Sequence, residues 1–370
     1  MKILFLFGTR PEAIKMAPLI REFLTASGEF DIKVCVTAQH REMLDQVLRF
    51  FEIKPDFDLN IMKPDQNLFD ITLTALEGIK KVISDYRPDW LLVQGDTTTT
   101  FVGALAAFYE RVKVAHIEAG LRSFNKDAPF PEEMNRVLTT HLSDLHFAPT
   151  LKAKENLLRE GVPEEKIFVV GNTSIDALFL CLTKVLNKNA EDFKTFHSID
   201  FNKKIILVTG HRRESFGKPF ENICRAIKAI AETNQVEVVY PVHLNPNVRR
   251  PVLKILRGLY NIHLIEPLDY PSFVWLMNQS YLILTDSGGV QEEAPSLGKP
   301  VLVIRDVTER TEGIDAGTAR VVGTSREEII QHALELLTHQ EAYDRMARAV
   351  NPYGDGNASG RILQILSKVS

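Results

Sequence analysis

Short, almost uninterrupted apolar runs separated by segments of helical period constrain this chain more than any other feature. Ile3–Phe7, Ile32–Thr37, Trp90–Gln94, Val112–Ile117 and Leu145–Ala148 read as buried strands. Between the first two, Ile14, Ala17, Ile20, Phe23 and Leu24 recur at helical spacing. The same rhythm resumes at Ile205–Thr209, Val236–Tyr240, Ile262–Ile265, Leu282–Thr285 and Val301–Ile304. A strand apolar along its whole length needs cover on both faces, and alternating helices supply that cover in a parallel α/β sheet. A chain of 370 residues is long for one compact domain and comfortable for two of roughly 150–200 residues, and the ten or so strands split naturally into two sets. The polar stretch Leu186–Lys204 reads as a surface connection leading into the second sheet. The most economical architecture is α/β, two doubly wound, Rossmann-like domains facing a cleft. Open sheets of this kind bind ligands beyond the carboxyl ends of their strands, so the loops there are where chemistry is expected.

Composition removes several classes. With 45% apolar and 25% charged residues the chain is globular, neither disordered nor fibrous. A net charge of −4 without a basic stripe argues against a dedicated nucleic-acid binder. Cys35, Cys181 and Cys224 form no CxxC pair, which suits a reducing compartment and speaks against disulfides and a zinc cluster. Five apolar residues between Lys2 and Gly8 are too few for a secretory signal, and no run approaches the ~18–20 residues of a membrane span. The expectation is a soluble cytoplasmic protein without a metal.

The loops after strands carry the candidates. Phe7-Gly8-Thr9-Arg10-Pro11-Glu12 opens a helix, with Thr9 and Glu12 spaced as a capping box. Arg10 and Lys15 near that helix start suit either an anionic ligand or solvated surface charge. In Gln94-Gly95-Asp96-Thr97-Thr98-Thr99-Thr100, Asp96 suits an N-cap and a catalytic carboxylate equally. Period-two alternation puts His116 and Glu118 on one face. Glu132 and Glu133 open a helix, where one acid usually does no more than favour the helix dipole. Thr209-Gly210-His211-Arg212-Arg213 makes His211 a candidate acid–base or anion-binding group. A P-loop at Gly217-Lys218 is rejected, because its spacing from Gly210 is wrong and Pro219 stands where Ser or Thr is required.

The strongest signal is Thr285-Asp286-Ser287-Gly288-Gly289-Val290-Gln291-Glu292-Glu293. Ser-Gly-Gly lets backbone N–H groups approach a diphosphate, and Glu293 one turn on suits ribose hydroxyls. The first strand lacks G-x-G-x-x-G, which disfavours a nicotinamide enzyme and leaves no cofactor implied.

With these residues the sequence resembles the non-hydrolysing UDP-N-acetylglucosamine 2-epimerases of bacteria. Phe7–Pro18, Val36–Leu48, Gly95–Thr100, Glu118–Arg122, Thr209–Ser215, Tyr240–Arg249, Thr285–Pro300 and Asn351–Gly356 match in order. Ala38–Val47 and Asn351–Gly356 are the most specific of them. The resemblance implies the glycosyltransferase-B fold, with a sugar-side domain at residues 1–170, a UDP-binding domain at 171–355, and the helix 356–370 packing back onto the first. It implies reversible inversion at C2 between UDP-N-acetylglucosamine and UDP-N-acetylmannosamine. It assigns Arg10, His211, Ser287, Gly288, Gly289 and Arg310 to the diphosphate or uridine, Glu293 to the ribose, and Leu268 and Phe273 to the uracil pocket. Lys15, Asp96, Glu118, Glu132 and Arg136 would surround the sugar. Asp96, Glu118, Glu132 and His211 would be the catalytic set.

The same resemblance implies a homodimer without nucleic-acid or membrane partners. It also implies activation by substrate at a second site, with Gln39, His40, Arg212 and His243. Its rivals are a UDP-sugar glycosyltransferase of the same fold, a hydrolysing epimerase releasing free N-acetylmannosamine, and a nucleotide-sugar sensor.

Overall fold

A computed structural model of the chain describes every residue except Ser27, Gln39, His40, Pro64, Asn234 and Ser370, and the side chain of Thr233. Two compact units emerge, Met1–Ala177 with Tyr353–Ser370, and Leu178–Pro352. Each is a wholly parallel, doubly wound α/β sheet, and the chain is of the glycosyltransferase-B class.

In the first unit the strands are β1 (Lys2–Phe7), β2 (Asp31–Val36), β3 (Phe57–Asp58), β4 (Trp90–Gln94), β5 (Lys113–Ile117), β6 (Leu145–Ala148) and β7 (Ile167–Val169). Their order is β3-β2-β1-β4-β5-β6-β7. The second unit has β8 (Lys204–Thr209), β9 (Val236–Pro241), β10 (Ile262–Ile265), β11 (Leu282–Thr285), β12 (Val301–Val303) and β13 (Ala319–Val321), ordered β10-β9-β8-β11-β12-β13. The order reverses beside β1 and β4 in one sheet and beside β8 and β11 in the other. At such switch points the flanking loops splay apart and leave room for a ligand.

All ten strands expected from the apolar runs are present, within a residue or two of their expected ends. Three more exist: β3, β7 and β13, each two or three residues long at or next to a sheet edge. Phe57-Asp58 and Ala319-Arg320-Val321 show no apolar run, whereas β7 lies on one, Ile167–Val170, that the sequence reading passed over. The central strands are fully buried, as in Ile3–Phe7 and Leu91–Val93, because helices cover both faces.

The stretch Leu186–Lys204 departs from the expected surface connection. It folds as two short 3₁₀ turns, Ala190–Asp192 and Lys194–Phe196. Phe196 is fully buried and stacks on Trp275 at 5.3 Å, with Phe193 and Phe201 at 5.0 and 5.1 Å from the same indole. The indole Nε1–H donates to the Lys188 carbonyl at 3.0 Å. The polar residues of the segment mask three phenylalanines whose burial is worth more than their neighbours' solvation.

The chain returns to the first unit near Tyr353, whose carbonyl accepts the Asn172 N–H at 2.7 Å. The Asp176 carboxylate then accepts the Ser359 and Ala358 N–H groups at 2.7 and 3.2 Å, capping the helix Ala358–Leu366, which packs on the helix Arg10–Thr25. Among the described residues no helix is long and apolar enough to cross a membrane.

Phe196→Ala removes the stacked centre of the aromatic cluster. Unfolding in urea should show about 3–5 kcal/mol lost, with Trp275 emission shifted to longer wavelength in the native state.

Candidate active site

In the first unit the strand-end loops are tied together by Glu12. Its buried carboxylate accepts the Gly8 and Thr9 N–H groups at 3.1 and 2.8 Å and the Thr97 and Thr100 hydroxyls at 2.7 and 3.2 Å. Burial raises the Glu12 carboxyl above its ordinary range, and the hydrogen bonds from Thr97, Thr9 and the Gly8 N–H oppose that rise. The residue expected as half of a capping box therefore also joins the loops after β1 and β4. Gly8 is required where they meet, since a Cβ there would lie 2.2 Å from Thr37 Oγ1 and 2.5 Å from Thr99 Oγ1.

The cap of the helix Thr98–Tyr109 is Thr97, whose hydroxyl accepts the Thr100 N–H at 3.2 Å. That removes the N-cap use of Asp96. Its carboxylate is not a cap and instead pairs with the Arg136 guanidinium, while its carbonyl accepts Asn135 Nδ2 at 2.9 Å. Arg136 also reaches Glu133 at 3.2 Å. Glu118 pairs with Lys15. Its backbone sits at φ +64°, a left-handed conformation that costs a glutamate on the order of 1–3 kcal/mol.

His116 lies on a strand and Glu118 in the turn after it, so the expected alternation does not run through both. β5 ends at Ile117 and the turn to positive φ breaks the alternation. The His116 ring is buried instead, its Nε2 2.7 Å from the Gly95 carbonyl, and burial pushes its pKa down to about 4. The neutral ring donates Nε2–H and braces the turn that carries Asp96. Arg10, the first residue of its helix, is exposed; Glu132 is half-buried at the start of its own, and neither forms an ion pair among the described residues.

Two residues outside the expected set hold this half in place. Glu133, 3% exposed, accepts the Ser123 and Phe124 N–H groups, each at 3.0 Å, besides Arg136. Of the two acids that open this helix, Glu133 is thus a buried clamp and Glu132 is the accessible one. Arg122 makes a two-pronged pair with Glu160 at 2.6 Å and donates to Thr140 at 2.8 Å.

The second unit builds its part on the loops after β8, β9, β11 and β12. Asp286 is 1% exposed, and its Oδ2 accepts the His211 and Arg212 N–H groups at 2.6 and 2.8 Å. Its Oδ1 lies 3.1 Å from His211 Nδ1. Burial alone would raise this carboxyl, but the imidazole and the two N–H groups outweigh it and hold it below its usual range. The His243 ring stacks on His211 at 5.5 Å and 17°, and burial together with His211 lowers its pKa.

Ser287 stands at the N-terminus of the short helix Gly288–Glu293. The Arg310 guanidinium lies over Gly288, where a Cβ would come within 3.2 Å of it. Arg310 donates to Glu292 at 2.8 Å and Glu309 at 3.0 Å, and Glu309 is also bound by Arg305 at 2.9 Å and lies 4.0 Å from Arg212. Burial would raise Glu309, but Arg310, Arg305 and Arg212 hold it below its ordinary value. Of the two adjacent glutamates, Glu292 is buried on Arg310 and Glu293 is half-buried. Leu268 and Phe273, both half-buried, flank the cap of the helix Tyr270–Gln279.

Within the first unit, then, Asp96 joins Arg136 and Glu118 joins Lys15. Within the second, His211 meets His243, and Arg310 and Arg212 share Glu309, so the residues expected for diphosphate and for activation are contiguous. Gln39 and His40 lie outside the described residues. Asp286 and Glu133 are what the sequence reading missed. Each stands beside a chosen residue and carries no distinguishing composition. Among the described residues no group of His, Cys, Asp or Glu is arranged to hold a metal.

A family model described as UDP-N-acetylglucosamine 2-epimerase matches residues 22–367. The chain is 58% identical to the UDP-N-acetylglucosamine 2-epimerase of Salmonella typhimurium and 59% identical to that of Yersinia pestis, over 99% of this chain and 98% of each relative. The crystal structure of the enzyme from Neisseria meningitidis bound to UDP-GlcNAc is 52% identical, with a TM-score of 0.92 and complete coverage of both chains.

His116 yields a pH prediction. Its folded pKa of about 4 lies below the ordinary value of 6.5, so the unfolded chain binds the extra proton between them. Stability is intact above pH 6.5 and falls as pH drops toward 4, by about 1.4 kcal/mol per unit for this group. Urea unfolding at stepped pH should show that fall, and His116→Gln should make it shallower.

Proposed function

The chain belongs to the UDP-N-acetylglucosamine 2-epimerases and is an isomerase, and we propose that it inverts C2 of the sugar by elimination and re-addition of UDP. The C2 hydrogen has no adjacent carbonyl, so its direct removal is prohibitive. Loss of the C2 proton with cleavage of the C1–oxygen bond gives 2-acetamidoglucal and UDP. Re-addition of UDP with protonation on the opposite face gives UDP-N-acetylmannosamine. The route needs cations for the leaving diphosphate, carboxylates for developing positive charge at C1, acid–base groups at C2, and exclusion of water.

Asp96 carries the reading. Thr97 takes the capping duty, which leaves the Asp96 carboxylate at the end of β4 on an arginine. Asp96, Glu118 and Glu132 form the acid–base and charge-stabilising set, with Lys15, Arg136 and Arg10 as sugar and anion contacts. The relative from Neisseria holds UDP-GlcNAc. By the same reading UDP binds here at Ser287, Gly288, Gly289 and Arg310, with Glu293 on the ribose, Leu268 and Phe273 at the uracil, and His211 at the leaving oxygen. Arg212 and His243, with Gln39 and His40, serve a second, activating substrate molecule. The enzyme acts in the cytoplasm as a homodimer and supplies N-acetylmannosamine units for surface polysaccharide.

Proton NMR with UDP-N-acetylglucosamine in D2O tests this. The expected product is UDP-N-acetylmannosamine with deuterium at C2; free N-acetylmannosamine with UDP would indicate the hydrolysing reaction, and an unchanged spectrum with UDP bound would favour a glycosyltransferase. Asp96→Asn should lower kcat by at least about 1000-fold while UDP still binds. Near-normal turnover would remove Asp96 from the set.

A further inference from the structure

We propose that Asp286 is a positioning residue for His211, fixing the loop that carries the imidazole and holding its Nδ1–H so that Nε2 is the nitrogen presented to the leaving oxygen. The inference rests on the reading of His211 given above. The two carboxylate oxygens divide the work: Oδ2 takes the backbone N–H groups of His211 and Arg212, and Oδ1, buried without a hydrogen bond among the described residues, lies in ion-pair contact with Nδ1 at 3.1 Å.

Charge makes this arrangement informative. Asp286 immediately precedes the Ser-Gly-Gly turn proposed to hold a diphosphate, where a second anion is electrostatically adverse. If only an acceptor for two N–H groups were needed, the amide oxygen of asparagine would serve without that charge. A carboxylate is required where the ring nitrogen facing it must keep its proton, since it accepts only. An anionic Asp286 thus selects the Nδ1–H form of the neutral ring and leaves Nε2 as acceptor, or as donor once the ring is charged.

The other groups around His211 do not compete for Nδ1. His243 covers a ring face, and its own Nδ1 accepts the Asn245 N–H at 3.1 Å. The Tyr240 hydroxyl donates to the Gly210 carbonyl at 3.0 Å, and the Arg212 guanidinium turns to Glu309. The depressed titration of Asp286 agrees with a carboxylate that stays charged.

Asp286→Asn in the full chain is the test, because its amide oxygen still accepts both N–H groups while its NH₂ faces Nδ1 and favours the opposite tautomer. Nitrogen-15 NMR of the imidazoles, with His211 assigned from the His211→Gln spectrum, should show Nδ1–H in the native protein and Nε2–H in the variant. kcat should fall at least about 100-fold, with KM and the Kd for UDP within about threefold. An unchanged tautomer, or kcat within about threefold of native, would overturn the proposal, as would UDP affinity and melting temperature falling in step with kcat. If the native protein failed to epimerise, the functional reading would fall while the tautomer comparison still decided this one.

Discussion

Four buried carboxylates, each accepting two consecutive backbone N–H groups, hold this molecule's loops in place. Glu12 takes Gly8 and Thr9, Glu133 takes Ser123 and Phe124, Asp176 takes Ala358 and Ser359, and Asp286 takes His211 and Arg212. A parallel sheet satisfies the backbone of its strands but not that of the turns leaving them. A buried turn with orphaned N–H groups costs about as much as lost hydrogen bonds. A carboxylate is the strongest acceptor available for such a pair. Its own desolvation is offset because the turn supplies the donors it needs. Where the turns carry candidate residues, as at Asp96 and His211, rigidity there fixes those side chains as well.

The cations follow a different logic in the two units. In the first, Lys15 is matched to Glu118, and Arg136 to Asp96 and Glu133. In the second, Arg212, Arg305 and Arg310 converge on Glu309, with Glu214 and Glu292 at the margins. Three guanidiniums and three carboxylates balance in charge, and the network they form fixes the Arg310 guanidinium over Gly288. Gly288 belongs to the same device, since a side chain there would press on the Arg310 guanidinium.

Neighbouring acids show where reading the sequence stops. Glu132 and Glu133 both look like first-turn acids, and Glu292 and Glu293 like one acidic pair. On a helix, successive residues point about 100° apart, so one member of each pair is buried on an arginine and the other is accessible. Which is which depends on the element covering that face, and nothing in the pair itself records it. His116 shows a related limit. Alternation holds only while the strand continues, and β5 ends one residue after it.

The sequence by itself determined the parallel α/β class, ten of the strands and the family. Those rest on local periodicity and on motifs contiguous in the chain, which survive without knowledge of contacts. Tertiary structure alone decided that Thr97 rather than Asp96 caps its helix, that a polar connector buries Phe196, and that Asp286 stands behind His211. Each of these depends on which distant groups compete for the same donor or the same buried space, and only the folded chain brings those competitors together.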